Sequence, residues 1–189
     1  VYICGPKDSR YFGGCYFFEF TFPYDYPHTP PIVEFKTNDG QTRFHPNMYR
    51  SGKMCLSMLN TWKGDQWTGC QSVRTILLTI VSIMDDIPLL HEPGFTEKHS
   101  DVAKYNKIIL FKNFDFAVNR IFSKDSGWSI NPFNELFETE MDTEFKKNRA
   151  DILTILEGKK DEPNENVRTG IYNLNIPINW KNTYETFCK

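Results

Sequence analysis

The sequence predicts an α+β fold, because two kinds of apolar pattern follow one another along the chain. In the first part, short aromatic and β-branched runs alternate with proline and glycine, as strands joined by stiff loops do. After Ser72 the apolar residues recur at helical spacing in long stretches.

The first strand is read in "GGCYFFEFTF" (residues 13–22), with Gly13 and Gly14 at its head and Pro23 at its end. A second is read in "PPIVEFKT" (residues 30–37), where Ile32, Glu34 and Lys36 alternate with Val33 and Phe35. The connecting "PYDYPHTPP" is too long and too proline-stiffened for a tight hairpin. Asp39-Gly40 marks a turn. "RFHPNMYRSGKMCLSML" (residues 43–59) is irregular and holds a turn, a glycine and Cys55.

"SVRTILLTIVSIMDD" opens on a capping Ser72 and places Ile76, Leu77, Ile80, Val81 and Met84 on one helical face, ending before Pro88. Residues 101–122 form one long amphipathic helix, with Val102, Tyr105, Ile108, Ile109, Phe116 and Ile121 inward. "SGWSINPF" (residues 126–133) breaks that pattern. Residues 134–156 make another helix, burying Leu136, Phe137, Met141, Phe145, Ile152 and Leu156. Residues 157–166 are a polar loop, and the remaining stretch has no clear period.

A chain of 189 residues with 40% apolar and 24% charged residues suits a globular protein. A net charge of -2 without a basic block argues against nucleic acid as a partner. The longest apolar run, "TILLTIVSIM", is too short for a membrane span, and "VYICGPKDSR" lacks the features of a signal peptide. The five cysteines (Cys4, Cys15, Cys55, Cys70 and Cys188) are odd in number and form no CxxC pair. Neither a disulfide framework nor a structural zinc site is expected, and a reducing compartment is.

Cys55 is either a small core side chain or a nucleophile. A nucleophile needs a reachable sulfur and a fixed donor for developing negative charge. "HPN" supplies a stiff turn whose Asn47 amide can donate, and Gly52 lets the chain fold back so that Cys55 approaches Asn47. His45 with Cys55 is also a conceivable dyad, although no third group is evident to orient the ring.

"GPKDSRYFGGCYFFEFTFPYDYPHTPPIVEF", then "RFHPNMYRSGKMCLSML", a tryptophan, a helix and "HEPGF" resemble the catalytic core of ubiquitin-conjugating enzymes. The matching residues are Gly5-Pro6, Tyr11 with Gly13-Gly14, Phe22-Pro23, Tyr26-Pro27, Pro30-Pro31, His45-Pro46-Asn47 and Gly52 with Cys55-Leu56. They recur in order over roughly residues 1–110. No aspartate follows the Cys55-Leu56 pair, Trp62 comes soon after, and a long helical extension follows "HEPGF". These features are similar to the large class typified by ubiquitin-conjugating enzyme Z.

The resemblance implies a four-stranded antiparallel sheet flanked by helices, with a helical C-terminal extension. It implies a catalytic core over residues 1–122, lacking the family's N-terminal helix, and an extension over 123–189. Cys55 would carry ubiquitin, or a ubiquitin-like modifier, as a glycyl thioester. Asn47 would support the loop and steady the oxyanion, and His45 would give structural support. The residue assisting lysine deprotonation is left open among Asp85, Asp86, His91 and Glu92. Partners would be the modifier, an activating enzyme, a ligase and protein substrates. ATP would be used by the activating enzyme, so no cofactor is expected here, and the location would be cytoplasmic or nuclear. The usual ligase contacts fall on His28, Gly69 and Cys70, where this sequence departs from the family pattern of an apolar residue and a Pro-Ala pair. A catalytically silent binding module is the alternative.

Overall fold

A computed structural model describes residues 1–122 and 132–189. It contains a three-stranded antiparallel sheet, β1 (Tyr2–Cys4), β2 (Cys15–Thr21) and β3 (Ile32–Phe35), with β2 central. The α+β class holds. β3 shows the alternation read from sequence, with Val33 and Phe35 buried and Ile32 and Glu34 exposed. β1 escaped sequence reading because three residues are too few to show a period. Beside β3, the position of a fourth strand is held by a single bridge, Glu34 with Lys53.

β2 is buried on both faces over Cys15–Phe18, which explains the unbroken run "CYFF". Tyr16 and Phe18 enter the main core. Cys15 and Phe17 face the other way and form a smaller cluster with Ile121 and Met141. Phe133 and Phe137 stack on Phe17 with ring centroids 5.8 and 6.2 Å away.

α1 (Val73–Ile83) starts at Ser72, whose side chain accepts the Thr75 N–H. Its Ile76, Ile80 and Ile83 are buried, while Val81, expected inward, is exposed. α2 (Ser100–Lys112) continues as a π-helical stretch, Asn113–Arg120. The longer i→i+5 turns rotate the face, so Phe114, Ala117 and Val118 are buried as well as the residues at regular helical spacing. The slip also turns Asn113 inward, where its Oδ1 accepts from the Tyr16 hydroxyl at 2.7 Å and its Nδ2 donates to the Phe12 carbonyl at 2.8 Å.

α3 (Pro132–Leu136) and α4 (Glu138–Lys159) replace the single helix read over 134–156. The break at Phe137 swings Leu136 out of the core, leaving it 69% exposed. The expected pattern break at 126–133 and the expected boundary at 123 fall largely outside the described residues. Beyond α4 the stretch without a clear period is a hairpin, β4 (Glu165–Arg168) with β5 (Asn175–Ile178), followed by α5 (Trp180–Phe187). Among the described residues no helix is long and apolar enough to cross a membrane.

These C-terminal elements share the core of the first part. Ile152, Leu156, Val167, Ile176, Ile178 and Trp180 are buried in the same cluster as Tyr16 and Ile108. Gly13 lies so close to α4 that a Cβ there would sit 2.6 Å from Ile152 Cδ1, at a φ of +71° that favours glycine. Ile152→Ala should therefore lower the unfolding free energy by about 2–5 kcal/mol, read from urea unfolding. A loss well under 1 kcal/mol would mean that α4 does not share this core.

Candidate active site

The segment before Cys55 is a tight hairpin built by its own backbone. Pro46 stiffens the turn, in which the Met48 N–H donates to the His45 carbonyl at 2.9 Å. The Gly52 N–H donates to Tyr49 and the Tyr49 N–H to Lys53, and Gly52 adopts φ +87°. Met48 then bridges Met54. The register that results places Asn47 against Cys55. The Cys55 N–H donates to the Asn47 carbonyl at 2.9 Å, and Asn47 Nδ2 donates to the Cys55 carbonyl at 2.5 Å. The approach of these two residues, read from the Gly52 turn, is what the structure shows.

The sulfur is not at the lip of a groove, as a nucleophile requires. Cys55 is only 2% exposed. Its backbone is held on both sides by Asn47, and the segments flanking it are clamped by Thr61. Thr61 Oγ1 accepts the Leu56 N–H at 3.0 Å and lies 2.9 Å from the Met54 carbonyl. Met54, Leu56 and Leu59 are buried around it. Thr61 also lines an open groove of about 730 Å³, with Asn60, Trp62, Lys63, Gln66 and Pro93.

His45 is fully buried. Its Nδ1 accepts the Asn47 N–H at 3.0 Å, so the one acceptor site of the neutral ring is occupied. Among the described residues Nε2 has no hydrogen bond of good geometry. Burial pushes the His45 pKa well below the usual histidine value, and the nearby His91 and Arg43 push the same way, against a weaker pull from the Ile83 carbonyl. The His45 and His91 rings are 5.0 Å apart, and His91 Nε2 lies 2.8 Å from Asp85 Oδ2.

A pH dependence follows. An unfolded histidine takes up its proton near pH 6.5, whereas folded His45 stays neutral to lower pH. Below that value the unfolded chain binds the extra proton, so stability falls as pH drops, by at most about 1.4 kcal/mol per pH unit for this group. The urea midpoint should fall between about pH 7 and about pH 5, and His45→Gln should flatten the slope. An unchanged slope would assign the effect to another group.

Each candidate for assisting lysine deprotonation has a partner. Asp85 holds His91 and accepts the Ile87 N–H at 3.0 Å. Asp86 pairs with Arg10 at 3.0 Å. Glu92 accepts a hydrogen bond from the Tyr172 hydroxyl.

His28, Gly69 and Cys70 are exposed, and the structure brings their loops together. Trp67 Nε1 donates to the Pro27 carbonyl at 2.7 Å, and a side chain at Gly69 would come within 3.9 Å of that same oxygen. Beside them Tyr24 is fully exposed and Phe22 half exposed. Sequence reading took Phe22 as the end of the strand and passed over Tyr24, whose available signal was its place in a proline-rich loop after the strand pattern had ended. Among the described residues no cluster of His, Cys, Asp and Glu is arranged to hold a metal.

The family model for "Ubiquitin-conjugating enzyme" matches residues 1–108. The chain is similar to ubiquitin-conjugating enzyme E2 Z of Xenopus tropicalis, 45% identical over 119 residues, covering 61% of this chain and 38% of that protein. The human E2 Z is 44% identical over 119 residues, covering 61% and 34%. The human dual ubiquitin-conjugating enzyme and ubiquitin-protein ligase BIRC6 is 43% identical over 103 residues, covering 50% of this chain and 2% of that one. A structure of human ubiquitin-conjugating enzyme E2 G1 matches with a TM-score of 0.38 at 34% identity, covering 44% of this chain and 65% of that one. The chain spans little more than a third of the length of the E2 Z relatives, and far less of BIRC6.

Proposed function

The chain belongs to the ubiquitin-conjugating enzyme family, and on that premise we propose that it accepts ubiquitin, or a ubiquitin-like modifier, on Cys55 and passes it to substrate lysines. The observation that carries this reading is the hairpin that sets the Asn47 amide on the Cys55 backbone at 2.5 Å.

The chemistry is two acyl transfers. The Cys55 thiolate attacks the thioester carbonyl of the charged activating enzyme, whose own thiolate leaves. A neutral lysine amine then attacks the Cys55 thioester, passes its proton to solvent water, and expels the Cys55 thiolate. Sulfur is intrinsically nucleophilic, so thioester exchange in the first step calls for no strong base. In the second step an oxyanion develops beside Cys55. Asn47 has two amide N–H bonds, and the one donated to Cys55 leaves the other to meet that charge. With Nδ1 occupied, His45 braces the turn instead of taking a proton. ATP is consumed by the activating enzyme.

Thioester formation needs the sulfur uncovered. Thr61, in the exposed stretch 60–66, ties the backbone on both sides of Cys55 through its hydroxyl. Movement of that stretch is the step that admits the modifier. The exposed surface of His28, Gly69 and Cys70, extended by Tyr24, is the docking site for a ligase, and Tyr24 supplies an aromatic contact where His28 is a poor apolar anchor. The core over residues 1–122 carries the chemistry and 123–189 is its extension. Five free thiols suit the cytoplasm or nucleus.

The near-complete burial of Cys55 favours one second reading, a silent variant that binds modifier without being charged. Incubation with ubiquitin, an activating enzyme and ATP separates the two. The proposed function gives a conjugate that reducing agent cleaves. Binding without such a conjugate, across several modifiers and activating enzymes, gives the silent variant.

A further inference from the structure

We propose that Tyr172, in the turn between β4 and β5, is a positioning residue that fixes one wall of the groove beside Cys55, and so governs how an acceptor lysine reaches the thioester. The catalytic part of this proposal rests on the function argued above.

Tyr172 and Asn173 both occupy the left-handed region, at φ +57° and +49°. A bulky side chain rarely adopts that conformation, and it persists where surrounding contacts over-determine it. Those contacts are specific. The Tyr172 hydroxyl donates to Glu92 Oε2. The Arg43 guanidinium lies over its ring at 4.3 Å and over the Tyr49 ring at 3.5 Å. Its backbone carbonyl accepts from Arg50 at 2.5 Å. The turn is anchored to α2 by the Ile171 N–H, which donates to Asp101 Oδ2 at 2.9 Å.

One residue, through its side chain and its carbonyl, therefore joins two segments of the site that have no sequence continuity. On one side are Arg43 and Arg50, which bracket Asn47; Arg43 also donates to the Pro46 carbonyl at 2.5 Å, at the turn itself. On the other side is Glu92, whose neighbour Pro93 is a groove wall facing Trp62 and whose other neighbour, His91, holds Asp85. The link runs through a phenol and a carboxylate. Burial, together with Glu92, raises the pKa of the phenol above its usual range, so it stays protonated and remains a donor at working pH. His45 and His91 also meet across these two segments, with ring centroids 5.0 Å apart, and the C-terminal hairpin adds the second link through Tyr172.

The test compares the full chain with Tyr172→Phe, which keeps the ring on Arg43 and loses only the bond to Glu92. Three quantities are read: hydrogen exchange over residues 86–95, the iodoacetamide reaction rate at Cys55, and single-turnover rates of thioester loading and of discharge to free lysine. Loss of a hydrogen bond to a charged group should raise local opening about tenfold, so exchange at 86–95 should quicken about tenfold while exchange in β2 and α2 is unchanged. Discharge should fall about tenfold while loading changes less than about twofold, a split that a merely stabilising contact would not produce. Tyr172→Ala should open Arg43 as well and speed Cys55 alkylation. Exposed Cys70 and Cys188 act as internal references. Unchanged exchange at 86–95 in Tyr172→Phe overturns the proposal, as does unchanged discharge in a chain that loads. If the wild type never loads, the function fails, while exchange and alkylation still decide whether Tyr172 holds the wall.

Discussion

Cys55→Ser, given ubiquitin, an activating enzyme and ATP, should accumulate a conjugate that survives reducing agent and forms more than about 10²-fold more slowly than the wild-type adduct. The reason is the atom exchanged. A serine hydroxyl is almost entirely protonated near neutrality, so the fraction poised to attack collapses. The product is an oxyester, which thiols do not cleave. Cys55→Ala should give no adduct. Both variants keep the hairpin, because its bonds run through the backbone of Cys55 and not through the sulfur. Circular dichroism should therefore match wild type. Cys188→Ala, remote in sequence and exposed, should load normally. A reductant-sensitive adduct on Cys55→Ser would move the acceptor to another cysteine.

Removing the Asn47 side chain is expected to have the next largest effect. Asn47→Ala should slow discharge to lysine by about 10²–10³-fold, the usual cost of losing one donor to a developing oxyanion. Loading should suffer less, since thioester exchange between two good thiolate leaving groups demands less of that donor. Part of any loss would come from the hairpin, which forfeits the bond to the Cys55 carbonyl. Asn47→Asp separates the two parts. It is nearly isosteric, has no N–H to give, and sets a negative charge beside the carbonyl it should support. Its discharge should be at least as slow as that of the alanine variant. If discharge by Asn47→Ala were within about threefold of wild type, the donor role would fall, since that corresponds to less than about 1 kcal/mol.

Much of this arrangement was legible in the chain itself, and the failures have physical causes. The alternation in 32–35 and the Ser72-capped helix came directly from periodicity. The pairing of Asn47 with Cys55 followed from Pro46 and Gly52, because a rigid turn and a reversal fix register locally. Burial of Cys55 did not, since it depends on how segments distant in sequence pack around it, and no periodicity encodes that. The π-helical slip at Asn113 was hidden because a helical wheel assumes one pitch throughout. The β4–β5 hairpin was missed because its strands are four residues long and lie among polar residues. Tyr172 was missed for a related reason. Its meaning lies in Arg43 and Glu92, which are distant in sequence, and tertiary pairing of that kind leaves no local mark.

The two-faced burial of β2 has a consequence for the birth of the protein. Phe17 leaves the ribosome some 120 positions ahead of Phe137 and Met141, the residues that will shelter it. During translation an apolar strand with one bare flank must wait, and waiting strands invite partners of the wrong kind. Stalled or prematurely ended products of this chain should be clients of chaperones and targets for degradation.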